Sequence, residues 1–93
     1  MEADDYSFRL ERVHFRTCAL HYTEGGRYLM IYLEQSPAPE FDWVGSDDDF
    51  QHWTSPSVHI SEQERKLILS RLEQWSSQSG VKIHIASPAD WRK

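Results

Sequence analysis

The chain has 93 residues with a formal net charge of −5, and 39% of its residues are hydrophobic against 27% charged. These values describe a globular chain of ordinary domain size, which excludes a disordered, fibrous or multidomain protein. No apolar run reaches the roughly 18 residues that a membrane span needs, and the acidic start of the chain differs from a basic signal peptide. We therefore predict one cytoplasmic domain over residues 1–93, with a core at about residues 8–86 and loose termini.

Two glycines, Gly25 and Gly26, separate the largely apolar segments 13–22 and 27–34. Adjacent glycines permit the positive φ angles of a tight turn, so we predict a β-hairpin. In the second segment both alternating sets of side chains are largely apolar, which predicts a central strand covered at least partly on both faces. Residues 6–12 carry three charges and give a weaker strand signal.

The two prolines Pro37 and Pro39 end the second strand, because proline cannot donate to a β-ladder. After them, the sequence predicts a short strand at 41–44 and an exposed turn at 45–49. A fourth short extended segment at 50–53 is expected to return to the sheet.

A helix over about residues 61–79 is the clearest predicted element. Ser61 and Glu64 have the spacing of a capping box, and Gly80 is placed to end the helix in a left-handed turn. Alternating apolar residues from Val81 onward then predict a last strand.

One face of this helix is apolar and is expected to pack on the sheet. Its residues are Ile68, Leu72 and Trp75, whereas Lys66, Arg71 and Glu73 are expected to remain in water. The order of elements predicts an α+β fold, with an antiparallel β-sheet of four to five strands and one amphipathic helix packed on a face.

The middle of the chain is acidic, since no Lys or Arg lies between Arg27 and Arg65. The carboxylates in this interval are Glu34, Glu40, Asp42, Asp47, Asp48, Asp49, Glu62 and Glu64. An acidic surface repels nucleic acid and attracts cationic partners. The alternative is that these acidic loops only keep a small domain soluble.

Two tryptophans, Trp43 and Trp53, belong to this acidic interval. They either pack beneath the loop or stand at its rim as anchors of an interface, where aromatic residues are enriched. The rim alternative would suit recognition of a basic, partly apolar surface. The candidate partner-binding residues are Asp42, Trp43, Asp47, Asp48, Asp49 and Trp53.

Catalytic and metal-binding patterns are not found in the sequence. The five histidines lack the close spacings that place two ligands together. The best local cluster is His52 with the aspartates at 47–49, and it lacks the alternating ligands of a calcium loop. The single cysteine, Cys18, excludes an intramolecular disulfide and is expected in the core. We therefore predict no catalytic residues, no metal and no cofactor.

Three features resemble a known family: the residues Thr-Cys-Ala-Leu-His-Tyr-Thr-Glu-Gly-Gly-Arg at 17–27, Trp53 before a Pro-containing loop, and the helix start at 60–69 closed by Ser-Gly-Val-Lys-Ile-His-Ile. This layout is similar to small immunity proteins of bacterial polymorphic-toxin systems, in particular the immunity protein 74 family. The resemblance covers about residues 10–86. It implies a non-enzymatic protein that binds and neutralises a cognate toxin.

Many such toxins act on nucleic acid and present basic clefts, so the acidic surface is expected to take the place of phosphates without binding nucleic acid directly. One alternative is a regulatory or interaction module that self-associates or binds another protein through a sheet edge. A small enzyme is a third alternative, which would need a pocket joining His14, His84 or Cys18 to a carboxylate.

Overall fold

A computed structural model describes residues 6–86 of the chain. The elements in chain order are β1 (Tyr6–His14), β2 (Thr17–Glu24), β3 (Arg27–Gln35), β4 (Trp43–Ser46), a short 3₁₀ turn (Asp47–Phe50), α1 (Glu62–Ser79) and β5 (Ile83–Ala86). The strands form one sheet in the order β1-β2-β3-β4-β5. The α+β fold class is therefore confirmed. The prediction of loose termini falls on residues 1–5 and 87–93, which lie outside the described residues.

The first predicted strand, 13–22, is divided between two strands. β1 ends at His14, and the chain turns at residues 15–16 before β2 begins at Thr17. The weaker strand signal at 6–12 is thus the body of an edge strand. Its charged residues are tolerated because alternate side chains of an edge strand face water, while Phe8 and Leu10 pack on the core.

The β2–β3 hairpin forms as predicted around its two glycines. Gly25 has a φ of 59°, a value that favours glycine. The antiparallel register places Leu20 opposite Ile31 and Tyr22 opposite Leu29. All four side chains are buried, so this hairpin forms one wall of the core.

Residues 50–53 do not form the predicted fourth strand. The chain returns to the sheet at Ser55, which forms an isolated antiparallel bridge with Tyr28 of β3. Phe50 ends the 3₁₀ turn, and residues 51–60 form a narrow loop in which the Trp53 amide donates to the Val58 carbonyl at 2.8 Å. Phe50, Trp53 and Ile60 are buried in the core. Burying these large side chains favours a segment folded against the core over a short strand at an edge.

The helix α1 has the predicted ends. The Ser61 hydroxyl accepts from the Glu64 amide at 3.1 Å, and the Glu64 carboxylate accepts from the Ser61 amide at 3.0 Å. Gly80 ends the helix with a φ of 81°. Ile68 and Leu72 are buried against the sheet, as the apolar face predicted.

The sheet is mixed, because its last pair is parallel where an antiparallel sheet was predicted. β4 and β5 pair in parallel, with Trp43 opposite Ile83 and Gly45 opposite Ile85. The physical reason is the connection: α1 carries the chain back along the sheet before β5 begins, which is the usual link between parallel strands.

The prediction that Arg71 remains in water is wrong. Arg71 is buried, and its Nη1 donates to the Tyr22 hydroxyl at 2.6 Å and lies 3.3 Å from a carboxylate oxygen of Glu24. Tyr22 in turn donates to Glu24 at 2.8 Å. A buried guanidinium requires such partners because desolvation of an unpaired charge is costly. This contact joins the middle of α1 to the end of the hairpin.

A second ion pair joins the same two elements at the start of the helix. Arg27 donates from Nη1 to the Glu64 carboxylate at 2.6 Å. Hydrogen bonds from the Ser61 amide and from Arg27 lower the pKa of Glu64. Glu64 therefore acts twice, as a cap of α1 and as a partner of the hairpin.

Burial, together with the hydrogen bond to Glu24, raises the pKa of Tyr22 to about 12 from 10.0. The folded protein holds this proton more tightly than the unfolded chain does, so the stabilisation is complete below pH 10 and is lost as the pH rises towards 12. We expect Tyr22→Phe to reduce this alkaline loss of unfolding free energy, as measured by urea denaturation across that interval. Tyr32→Phe, which changes an exposed hydroxyl, should retain the parental pH dependence. If the unfolding free energy of both variants fell equally steeply with rising pH, the assignment of this loss to Tyr22 would be wrong.

Candidate partner-binding groove

The two faces of the sheet differ in what covers them. On β3, Leu33 faces α1 and is fully buried, whereas Tyr32 faces the other way and is 56% exposed. The strand registers place Glu34, Val44 and His84 side by side on this second face, across β3, β4 and β5. β3 was predicted to be covered at least partly on both faces. On the second face Tyr28 and Met30 are partly covered, and at Tyr32 this face is open.

A cleft of about 640 Å³ lies on this second face. We call it the groove and define it by its apolar lining and by two carboxylates. The apolar lining includes Tyr32, Pro37, Ala38, Phe41, Val44 and Ala86, and the carboxylates are Glu34 and Asp49. His84 lines it as well, so the cleft holds a histidine together with two carboxylates, the combination that the enzyme alternative requires. Among residues 6–86, no Lys or Arg lines it. The groove is therefore apolar along its length and negatively charged at two points.

The connection between β3 and β4 forms one wall of the groove. The Ser36 hydroxyl accepts from the Ala38 amide at 3.1 Å, and the Phe41 amide donates to the Ala38 carbonyl at 3.3 Å. These bonds hold the prolines of the connection in a compact turn. The Phe41 ring then stacks on His84 of β5, with ring centroids 4.9 Å apart.

Asp42 fixes this wall to the start of β5. Its amide donates to the Lys82 carbonyl at 2.8 Å, and its carboxylate accepts from the Lys82 amide at 2.9 Å. The predicted partner-binding role of Asp42 is untested, but its carboxylate already has this structural role.

The three consecutive aspartates form the 3₁₀ turn that follows β4. The Ser46 hydroxyl caps this turn by accepting from the Asp48 amide at 3.2 Å. Asp49 lines the groove, and Asp47 and Asp48 precede it in the same turn. Burial, and secondarily the neighbouring Asp48 charge, raises the pKa of the Asp49 carboxyl. A cationic group in the groove would oppose this rise, because an opposite charge favours the ionised carboxylate.

The structure separates the two tryptophans that were considered as interface anchors. Trp53 is only 2% exposed, stacks on Tyr22 at 6.0 Å and lies beneath the Arg27 guanidinium at 4.5 Å. It therefore belongs to the core, and its proposed place at an interface rim is wrong. Trp43 is half-buried on the α1 side of the sheet, with Arg12 above its ring at 5.7 Å.

Sequence reasoning did not select the aromatic residues that line the groove, Tyr32 and Phe41. Tyr32 carried a usable signal, because its alternating set on β3 ends in Glu34 and is therefore the less apolar set. The place of Phe41 depends on its contact with His84, which is more than forty residues away in sequence. No local pattern reports such a contact.

His21 and Cys18 lie outside the groove and have separate partners. His21 hydrogen-bonds through Nδ1 to the Tyr28 hydroxyl at 2.6 Å and through Nε2 to Glu11 at 2.8 Å. Cys18 is buried as predicted, and burial raises the pKa of its thiol. Within residues 6–86, no three His, Cys, Asp or Glu side chains are grouped to hold a metal ion.

Comparison of the chain with models of known protein families, with curated proteins and with solved structures finds no match. Among residues 6–86, no helix combines the length and the apolar character that crossing a membrane requires.

The core position of Trp53 gives a direct prediction. We expect Trp53→Ala to lower the unfolding free energy by about 3–5 kcal/mol, because it removes a fully enclosed indole. Trp53→Phe, which keeps an aromatic ring, should lose less and remain folded. Phe15→Ala alters an aromatic side chain that is 74% exposed and should change stability by less than about 0.5 kcal/mol. Denaturant titration measures the unfolding free energy of all three variants. If each variant lost the same small amount of unfolding free energy, Trp53 would lie at the surface.

Proposed function

We propose that this protein binds another protein through the groove, and that its partner is a cognate bacterial toxin which it neutralises. The observation that carries the proposal is the apolar groove, which has Glu34 and Asp49 in its lining and, within the described part of the chain, no Lys or Arg. Exposed apolar patches with polar rims are typical of protein interaction sites. A partner segment with both apolar and basic side chains would fit this lining.

The distribution of charge supports a basic partner. Except for His84 and Ala86 of β5, the residues that line the groove lie between Arg27 and Arg65. This part of the chain contains no Lys or Arg. Complementary charge speeds association and disfavours like-charged partners. Toxins that cleave nucleic acid need basic clefts for phosphate, so an acidic inhibitor can occupy such a cleft in place of the substrate.

The resemblance to the immunity protein 74 family adds a biological setting to this chemistry. In that setting the protein acts in the cytoplasm, forms a complex with its toxin and performs no catalysis. The acidic groove opposes direct binding of nucleic acid, which carries the same sign of charge.

A regulatory module that self-associates is the second candidate. The observation that favours it is the outer edge of β5, which has no neighbouring strand within residues 6–86. Such edges can pair with a second copy of the chain. A net charge of −5 on each copy opposes this pairing. Light scattering coupled to gel filtration separates the candidates, because self-association predicts a stable dimer.

The test of the proposed function is capture followed by neutralisation. The tagged protein should retain, from lysate of its source organism, the C-terminal part of a large secreted protein. Expression of that captured domain alone should stop growth, and co-expression with this protein should restore growth. Recovery of only the protein itself, or of a non-toxic protein, would overturn the proposal.

The role of the acidic turn can be tested with charge-matched variants. Asp48→Asn with Asp49→Asn and Glu11→Gln with Glu62→Gln both reduce the net charge from −5 to −3. Only the first pair changes the acidic turn at the groove. We expect that pair to slow association with the toxin by about three- to tenfold at low salt, with a weaker salt dependence. Identical rate constants for the two pairs in stopped-flow measurements would exclude the acidic turn from the contact.

A further inference from the structure

Within the described residues, the sheet and the groove end together at the outer edge of β5 (Ile83–Ala86). β5 is the last strand of the sheet, and within residues 6–86 only β4 pairs with it. His84 and Ala86 of this strand also line the groove. A sixth strand added here would therefore extend the sheet and the groove together.

The direction of the β5 backbone groups follows from its parallel pairing with β4. The Trp43 amide donates to the Lys82 carbonyl at 3.2 Å, which starts the ladder. In a parallel ladder alternate residues bond to the same neighbour, so His84 and Ala86 direct their amides towards β4. Ile83 and Ile85 then direct theirs outward. Two residues of β5 thus present donors and acceptors to an incoming strand.

The two edges of the sheet differ in their protection against added strands. β1 carries charged side chains at Arg9, Glu11 and Arg12, a common device against unwanted pairing. β5, with the sequence Ile-His-Ile-Ala, has no formally charged side chain at neutral pH. The β5 edge is therefore short and, from Ile83 to Ala86, lacks this protection, although Lys82 directly precedes it.

Depressions flank the β5 edge on both faces of the sheet. On the second face lies the groove, with Phe41 and Ala86. On the α1 face lies a cleft of about 230 Å³ that includes Leu69, Glu73 and Ile85. Successive side chains of a strand point to opposite faces, so an added strand would place its side chains alternately in the two depressions.

We propose that the partner's segment binds as an extended strand along β5. It places apolar side chains beside Phe41 and Ala86 on the groove face and basic side chains towards Glu73 on the α1 face. This inference rests on the proposed function, since it specifies how the groove would receive its partner. Main-chain hydrogen bonds to Ile83 and Ile85 provide the pairing, and the alternating side chains provide the selectivity.

Charge selects a basic partner over a second copy of this chain. The α1 face of the edge offers the Glu73 carboxylate, towards which the added strand directs its basic side chains. A second copy would bring its own −5 charge to this carboxylate, whereas basic side chains would neutralise it.

The experiment uses the full chain labelled with ¹⁵N and a synthetic peptide of about seven residues in which Lys and Val alternate, long enough to span a short edge strand. In the free protein, the Ile83 and Ile85 amides should exchange rapidly with solvent. Peptide binding should slow both, while the His84 and Ala86 amides serve as internal controls already bonded to β4. Unchanged exchange at Ile83 and Ile85 at millimolar peptide concentrations would overturn the proposal.

Methylated peptides test the backbone bonds separately from the side chains. One peptide carries N-methyl groups on its Val residues and the other on its Lys residues. Because donors of a strand alternate between its two edges, only one of these sets can face β5. We expect one methylated peptide to lose at least about tenfold in affinity and the other to retain it. Equal affinities for the two would exclude strand pairing.

A matched pair of helix variants tests the charge contact. Glu73→Gln should weaken peptide binding by about threefold, as expected for one exposed charge pair, and Glu62→Gln should not. Both side chains are exposed on α1, and only Glu73 lines the cleft beside β5. Equal affinities would remove Glu73 from the site.

A failure of the strand-addition proposal can be distinguished from a failure of the proposed function. If a toxin is captured and neutralised but Ile83 and Ile85 still exchange rapidly in the complex, strand addition alone is overturned. If the peptide binds as described but no toxin is neutralised, the immunity function fails and the strand-binding edge stands.

Discussion

The burial of Arg71 constrains the rest of the structure. A guanidinium removed from water in the middle of α1 needs acceptors, and the end of the β2–β3 hairpin supplies two of them, Tyr22 and Glu24. The helix must therefore cross the sheet at that point. The Arg27 to Glu64 pair fixes its first turn to the same hairpin. Together these contacts set both the position and the direction of the helix, which apolar packing alone would leave freer to slide.

The position of α1 decides where the chain can place its last strand. After Gly80 the chain runs back along the sheet and pairs with β4 in parallel. β5 then supplies His84 beneath Phe41, which completes the groove. Gly45 permits β4 to pack closely against Leu33 of β3, because a Cβ at position 45 would lie 2.6 Å from Leu33 Cδ2. The candidate site is thus a consequence of how the helix is anchored on the opposite face of the sheet.

Local signals were accurate where a local interaction decides the structure. The glycine hairpin, the capping box at Ser61 and the left-handed Gly80 depend on neighbours a few residues away. They were less accurate at β1, where a turn without glycine or proline divides one apolar run into two strands. For the groove, Asp49 was selected from the acidic interval, whereas Tyr32 and Phe41 were not. The function itself rests on charge and apolar exposure, and it stays a proposal.

The sequence by itself determined the α+β class, the hairpin, the helix ends and the acidic character of the middle segment, since each depends on composition or on short-range contacts. Tertiary structure alone decided the fates of Trp53 and Arg71. The sequence left Trp53 either beneath the acidic loop or at its rim, and it favoured a surface position for the charged Arg71. Both are buried because distant residues supply apolar contacts to the indole and hydrogen-bond acceptors to the guanidinium. Such partners are brought together only by the folded chain.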